Sequence, residues 1–193
     1  MNLVDDIHKS FDHRKSYEVR AVFLDIAKAF DKVWHKGLIC KFQQNGVSGS
    51  LLSLMENYLS NRKQRVVLNG SESNFYPIEA GVPQGSVLGP LLFLIYINDL
   101  EKNIKSEVNF FADDTMLFSI VHNPLISASD LNHDLQMISN WAYQWKMSFN
   151  PQQDKQAVEV LFSNKKNKVQ HPSLFLMVHW CPEKITIITW VLY

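Results

Sequence analysis

Three aspartates set against apolar, strand-like runs constrain the fold of this chain more than any other feature. Ala21 to Ile26 reads AVFLDI, a short apolar run with one acid near its exit. Val108 to Ser119 reads VNFFADDTMLFS, with two adjacent acids between aromatic and aliphatic flanks. Runs of this length and composition are strands, and the second has the pattern of a hairpin with its acids at the turn. An ionised carboxylate beside buried apolar residues is costly unless a partner compensates it. A divalent cation is the simplest such partner. If the strand of Asp25 lies beside the hairpin carrying Asp113, their carboxylates converge on one point. Hard oxygen ligands of that kind, completed by phosphates, suit Mg²⁺. Two such ions about 3.5–4 Å apart stabilise the attacking and leaving oxygens of a phosphoryl displacement. Taken singly, Asp25 reads as a strand-end cap and Asp113-Asp114 as an ordinary acidic turn. The three together favour the metal.

Around these runs, strands and helices mix irregularly, which fits an α+β layered domain better than a doubly wound parallel sheet. From Ser50, a plausible cap, Leu51, Leu54, Met55, Tyr58 and Leu59 follow the spacing of an amphipathic helix. Arg65 to Leu68, Asn69-Gly70 and Phe75 to Ile78 read as a hairpin, because Asn-Gly supplies the positive φ angles of a tight turn. Residues 80 to 90, AGVPQGSVLGP, form a loop that lacks the Gly-Lys-Ser/Thr ending of a phosphate-cradling P-loop. Its glycines either turn the chain or let backbone approach a ligand closely, with Gln84 projecting into the site. Leu91 to Leu100 is apolar on most sides and is expected to be a buried helix. Ser129 or Asp130 can cap a helix with Leu131, Leu135, Ile138, Ala142 and Trp145 on one face. A last strand, Ala157 to Phe162, precedes a basic loop at Lys165 to Lys168.

Composition narrows the class. At 193 residues, 46% hydrophobic and 20% charged, the chain is globular, of about one domain, and neither disordered nor collagen-like. Lys+Arg and Asp+Glu both number 19, so nucleic-acid binding must come from local patches. Arg62, Lys63 and Arg65 offer one such patch for backbone phosphates, and read equally well as a solvated helix end. Cys40 and Cys181 make neither a disulfide scaffold nor a zinc site by themselves. The N-terminus is not a signal peptide, and the apolar stretch from Leu91 to Ile97 is far short of the roughly 18 residues of a membrane span. The expectation is a soluble intracellular protein with no membrane partner, nucleus or cytoplasm being left open. The seven histidines show no metal-ligand spacing.

Three segments resemble, in order and spacing, the palm motifs of reverse transcriptases: LDIAKAFDKVWH (24 to 35), AGVPQGSVLGPLLFLIYINDL (80 to 100) and FADDTMLF (111 to 118). WKMSFNPQQDKQ (145 to 156) is similar to the next motif of that series. The wording is nearest to non-LTR, LINE-type retrotransposons, and the resemblance covers residues 3 to 173. It implies a palm, an antiparallel sheet backed by helices, with partial fingers and no thumb over residues 1–173. It also implies RNA-templated addition of dNTPs to a DNA primer 3′-hydroxyl, using two Mg²⁺ ions or Mn²⁺ in their place.

The resemblance also implies roles. Asp25 and Asp113 would bind both metals, with Asp114 supporting that coordination and the carbonyl of Ile26 a further ligand. Phe30 takes the steric-gate position, crowding the 2′-hydroxyl of a ribonucleotide. Pro83, Gln84 and Gly85 would contact the nucleotide and template. Phe111 would sit beside the primer end, and Lys155 near the triphosphate, where a cation neutralises the leaving pyrophosphate. Phe30 and Phe111 read alternatively as core aromatics, and Lys155 as a surface lysine.

Beyond Phe175 the text, LMVHWCPEKITIITWVLY, lacks the primer-grip segment that the family places there. Residues 174–193 are therefore expected to be a divergent tail, produced by a change of reading frame near residue 176 or by a gene model that runs into unrelated sequence. Two functions stay open: a palm-centred polymerase fragment with little processive activity alone, and a catalytically silent retroelement remnant that binds nucleic acid or a partner weakly. A two-metal nuclease or phosphatase would use the same acids, but the Pro-Gln-Gly loop and Phe30 argue against it.

Overall fold

The apolar run at Ala21 extends backwards to Glu18, because its alternate residues find cover on both faces of a sheet. The computed structural model describes residues 3–12, 17–111, 114–150, 157–165, 169–177 and 184–192. In chain order the elements begin with α1 (Leu3–Asp12), β1 (Glu18–Asp25), α2 (His35–Gln44) and α3 (Gly49–Leu59). Four two-residue strands follow, β2 (Lys63–Gln64), β3 (Val67–Leu68), β4 (Ser71–Glu72) and β5 (Tyr76–Pro77), and then α4 (Leu88–Ile97). The hairpin β6 (Glu107–Phe111) and β7 (Asp114–Val121) leads to α5 (Pro124–Gln144) and β8 (Val158–Phe162). Last come β9 (Phe175–Met177), β10 (Lys184–Thr186) and β11 (Ile188–Leu192). Contacts divide the chain into two units: residues 1–27, 100–144 and 148–193, and residues 28–99 with 145–147.

The first unit is built on a five-stranded sheet of order β11-β8-β1-β7-β6. β1 runs antiparallel to both β7 and β8, and β6 antiparallel to β7, while β11 lies parallel to β8. β7 and β8 therefore flank β1 and run parallel to each other, joined by α5 as a split βαβ unit. Along β1, Val19, Ala21, Phe23 and Asp25 share one face, opposite Ile120, Phe118, Met116 and Asp114 of β7. Val19, Ala21 and Phe118 are buried on this face, with Ile7 of α1 packed against them. Phe23 is 40% exposed, so that cover stops short of the Asp25 end.

The other face carries Val22, Leu24 and Leu117, all buried. Ser127 of α5 reaches Ser119 of β7 at 3.5 Å, which sets the helix on this side, and Leu131, Leu135 and Ile138 are buried along it. Each such aliphatic side chain contributes on the order of 1.5–3 kcal/mol when fully buried. α5 starts earlier than Ser129 or Asp130. The Asn123 side-chain oxygen accepts the amides of Leu125 at 2.9 Å and Ile126 at 3.3 Å, and Pro124 opens the helix.

Charge is buried on the α5 side as well. Arg20 pairs with Glu159, donates from Nη2 to the Pro172 carbonyl at 2.9 Å, and Thr189 donates to Glu159 at 2.7 Å. Glu18 accepts from Ser163 at 2.6 Å, and from Lys165 and the His171 ring at 3.2 Å each. These two carboxylates hold the segment after β8 against the sheet. Burial opposes the Glu18 charge, yet the bonds from Ser163 and Lys165 and the nearby cations outweigh it and hold the carboxyl below its usual range. Burial pushes the His171 imidazole down, more than the attraction of Glu18 raises it. At the end of the described chain, β11 forms an edge of the sheet, with Trp190, Val191 and Leu192 still exposed.

In the second unit, α2 packs on α3 and α4. Lys41 is buried by pairing with Asp99 and lying 3.6 Å over the Trp145 ring, an arrangement that compensates its charge. Tyr96 donates its hydroxyl to the Trp145 carbonyl, and burial pushes that phenol up to about 12. Asn69 and Gly70 both have positive φ, 49° and 79°, the geometry of a type I′ turn. The returning strand begins at Ser71 rather than Phe75. Two sequence expectations are corrected here. α3 forms, but Leu51 and Leu54 on its apolar stripe are 52% and 58% exposed, and Leu59 is its one buried residue. α4 buries Leu92, Phe93, Tyr96 and Ile97 while Leu91 and Leu94 stay half exposed, so it is not covered on most sides. Among the described residues, no helix is long and apolar enough to cross a membrane.

Candidate active site

Asp25 is the last residue of β1 and pairs directly with Asp114, the first of β7. Opposed residues of antiparallel strands project to the same face, here the face that α1 leaves open. Beyond Asp25 the strand continues as a single bridge between Ile26 and Phe149. That bridge uses the Asp25 carbonyl, which accepts the Asn150 amide at 2.9 Å, and the Ala27 amide, which donates to Ser148 at 2.8 Å. Peptide groups alternate edges along a strand, so Asp25 spends its backbone groups on the Asn150 side and Ile26 turns its carbonyl towards the β7 side. It follows that Asp25 and Asp114 form a non-hydrogen-bonded pair, the closer of the two kinds, with Cα atoms about 4.5 Å apart. Asn150 also donates from its side chain to the Asp25 carboxylate at 3.2 Å, fixing one oxygen. Two carboxylates facing each other at an open strand end, with a backbone carbonyl on the same edge, are a hard-oxygen donor set of the kind that Mg²⁺ takes. Asp113, the third acid of the motif, lies outside the described residues. Among those described, no group of three or more His, Cys, Asp or Glu side chains could hold a metal.

The second unit gathers another part of the motif set. The turn after β1 and the loop at 80–85 are stitched together: Gly81 donates to Val33 and Val82 to Phe30, each at 2.8 Å, and Trp34 bridges Ala80. The Gly81 carbonyl accepts from His35 Nε2 at 2.8 Å, so that nitrogen carries the ring proton. Gly81 has φ 94°, and a Cβ there would stand 2.9 Å from the Asp31 carbonyl. At Gly89 a Cβ would meet the Pro83 carbonyl at 2.4 Å. These glycines thus serve close approach of the chain to itself. Phe30 is half buried and stacks against Phe93, ring centroids 4.9 Å apart. Gln84 is exposed and donates from Nε2 to Asp31 at 2.8 Å. Gly85 has φ 78° in open space, and Pro83 turns the loop by accepting the Ser86 hydroxyl at 2.8 Å. Asp31, Arg62, Gln64, Glu79 and Gln84 line an open cleft of about 640 Å³.

Arg62 lies 5.8 Å over the Tyr58 ring. Arg65 pairs with Glu72 and lies 4.9 Å over Phe75, and Lys63 is exposed. Phe111 pairs with Asp114 in register, and Lys155 lies outside the described residues. Sequence reasoning passed over Asn150, Asp31 and His35. Each stands within a segment already singled out, but nothing in the letters marks a contact made across a bridge or between two loops.

The reverse transcriptase (RNA-dependent DNA polymerase) family matches residues 1–174. The chain is similar to the RNA-directed DNA polymerase from mobile element jockey of Drosophila melanogaster, 35% identical over 159 residues, which is 78% of this chain and 17% of that protein. It is likewise 34% identical over 153 residues to the probable RNA-directed DNA polymerase from transposon X-element of the same fly, covering 77% of this chain and 16% of the relative. The Pol polyprotein from type-1 retrotransposable element R2 of Popillia japonica matches at 31% over 93 residues, 48% of the chain and 15% of the relative. The chain thus spans about a sixth of the curated relatives it matches.

Proposed function

Because the chain belongs to the reverse transcriptase (RNA-dependent DNA polymerase) family, in its non-LTR retrotransposon branch, we propose that it carries the catalytic palm of an RNA-directed DNA polymerase. The reaction joins a DNA primer 3′-oxygen to the α-phosphorus of a dNTP on an RNA template, and the α–β phosphoanhydride bond breaks to release pyrophosphate. The observation that carries this reading is the Asp25–Asp114 pair at the open end of β1 and β7. In it the sheet with α5 on one face is the palm, the 28–99 unit supplies part of the fingers, and residues 174–193 are a divergent tail whose β11 joins the same sheet.

Asp25, Asp113 and Asp114 would hold two Mg²⁺ ions, or Mn²⁺, with the Ile26 carbonyl as a further ligand; once bound, the ions supply Lewis-acid charge at the attacking and leaving oxygens. The protein's own groups do the rest. Asn150 orients the Asp25 carboxylate. Phe30, whose ring packs against Phe93, would crowd a ribose 2′-hydroxyl. Pro83, Gln84 and Gly85 meet the nucleotide and the template base, and Arg62, Lys63 and Arg65 receive backbone phosphates. Phe111 sits beside the primer end, and Lys155 offsets charge on the departing pyrophosphate. Such positioning groups contribute because holding two reactants in line removes most of the entropic barrier.

The test is single-nucleotide primer extension by the full chain on an RNA template, with one dNTP at a time. Template-matched incorporation that is lost in EDTA and in Asp113→Ala is the expected result. No incorporation by folded wild-type protein would instead make the chain a silent relative that at most binds nucleic acid.

A further inference from the structure

The geometry points to Asp31 as a positioning residue that sets which way the Gln84 amide faces, and so selects the hydrogen-bonding sign of the group that Gln84 can recognise. This rests on the nucleotide-binding reading above and deepens it. Asp31 follows Phe30 in the turn after β1. Its place is fixed by the hydrogen bond that its backbone amide donates to the Lys28 carbonyl at 3.0 Å, and by the close approach of Gly81, which has no room for a Cβ. On either side of it the Phe30 and Val33 carbonyls hold the loop that carries Gln84, and His35 clamps the Gly81 carbonyl. The Asp31 backbone is therefore held against that loop, which sets the carboxylate within reach of Gln84.

An ionised carboxylate only accepts hydrogen bonds, whereas a glutamine amide donates from nitrogen and accepts on oxygen. The bond between Asp31 and Gln84 Nε2, 2.8 Å long, decides between the two amide orientations. With one N–H committed to Asp31, the Gln84 amide turns its acceptor oxygen away from that carboxylate, and this oxygen is what it offers the cleft. That oxygen suits a donor on the ligand, a sugar hydroxyl or a base amine, and penalises a ligand presenting an acceptor there. Asp31, Gln84 and the cation Arg62 line the same cleft, so the choice is made beside a group able to hold phosphate. The bond is exposed in the free protein and is worth little there. It gains weight when a bound nucleotide excludes water, because breaking it would then strand a polar group.

The test uses polarity reversal. Asp31→Asn keeps the shape of the side chain but can donate as well as accept, so it no longer holds the Gln84 nitrogen and lets that nitrogen face the cleft. Asp31→Asn combined with Gln84→Glu restores an acceptor to the cleft at unchanged net charge. The probe is dATP with Mg²⁺, titrated calorimetrically into the full chain. Asp31→Asn should weaken binding about fivefold, within the range of one hydrogen bond to a ligand, without lowering the melting temperature. The double substitution should return binding to within about twofold of wild type, a rescue that a merely structural role would not give. Wild-type affinity in Asp31→Asn, or a double variant no tighter than the single one, overturns the proposal. If the wild-type chain does not bind dATP, the nucleotide reading fails, and the orientation is judged on the ¹⁵N-labelled side-chain amides. Displacement of the Gln84 resonances by Asp31→Asn, with those of Gln64 unmoved, upholds the control by Asp31. Unmoved Gln84 resonances overturn it.

Discussion

Asp25→Asn should make the metal-free protein more stable, although it removes a residue of the candidate active site. The reason is the register: Asp25 faces Asp114 across a non-hydrogen-bonded pair, and both carboxylates project to one face. With Cα atoms about 4.5 Å apart, two unit charges at roughly 5 Å repel by about 0.8 kcal/mol in water and about 3 kcal/mol at an effective dielectric constant of 20. Asp114 is exposed and Asp25 half buried, so screening keeps the cost near the lower bound, about 1 kcal/mol. In a protein of this size that is roughly 2–4 °C of melting temperature. The new amide oxygen can still accept from Asn150, so no donor is stranded. Thermal unfolding followed by circular dichroism in EDTA should place the variant above wild type. Added Mg²⁺ should raise wild type and leave the variant nearly unmoved, since an ion stabilises only the state that binds it. A variant that melts at or below wild type in EDTA, with an equal response to Mg²⁺, would refute the reasoning.

Other consequences can be measured on the same protein. Glu159→Ala leaves the buried Arg20 guanidinium unpaired and should cost about 3–5 kcal/mol in urea unfolding. Arg20→Met with Glu159→Leu should recover most of that loss; a double variant worse than the single one would show that the pair is not what holds the sheet there. Stability should fall steadily as the medium is acidified from pH 7. His171 is held below its ordinary 6.5, so the unfolded chain takes up that proton first; Glu18 is held below 4.5, so its contribution is lost as pH falls through the folded value. Glu18→Gln should flatten the acid limb of urea midpoints measured between pH 3 and 7 (about the range where both groups titrate), and an unchanged limb would exclude its role. Gly81→Ala, at φ 94° and without space beside Asp31, should destabilise by roughly 1–3 kcal/mol, read from the same urea curves.

The elements that position the acids were legible because each is short and locally patterned. The run ending at Asp25 is a strand, since apolar residues on both faces leave no other placement, and the flanking β6 and β7 pair in register from Phe111 and Asp114. Leu131, Leu135, Ile138 and Ala142 are buried at helical spacing as read. The start of α5 was missed because Asn123 caps it from a loop position, with weaker apolar periodicity after it. The exposure of Leu51 and Leu54 shows why an apolar stripe does not determine its own cover: periodicity reports which residues share a face, not what packs there. The parallel pairing of β11 with β8 and the burial of Arg20 and Glu159 are long-range outcomes with no local signature. In the candidate site, the motif letters supplied the acids and Gln84, while Asn150, Asp31 and His35 act through contacts that exist only once the chain is folded.

On the function proposed above, Asp25 and Asp114, with the neighbouring Asp113, gather divalent cations at the end of β1 and β7. Paramagnetic broadening by substoichiometric Mn²⁺, read on the backbone amides of ¹⁵N-labelled protein, tests it most directly. Amides of residues 24–27 and 114–116 should disappear first, Mg²⁺ should compete the effect away, and Asp25→Asn should weaken it. Broadening that begins instead around exposed acids such as Glu72 or Glu101, and persists unchanged in Asp25→Asn, would contradict it.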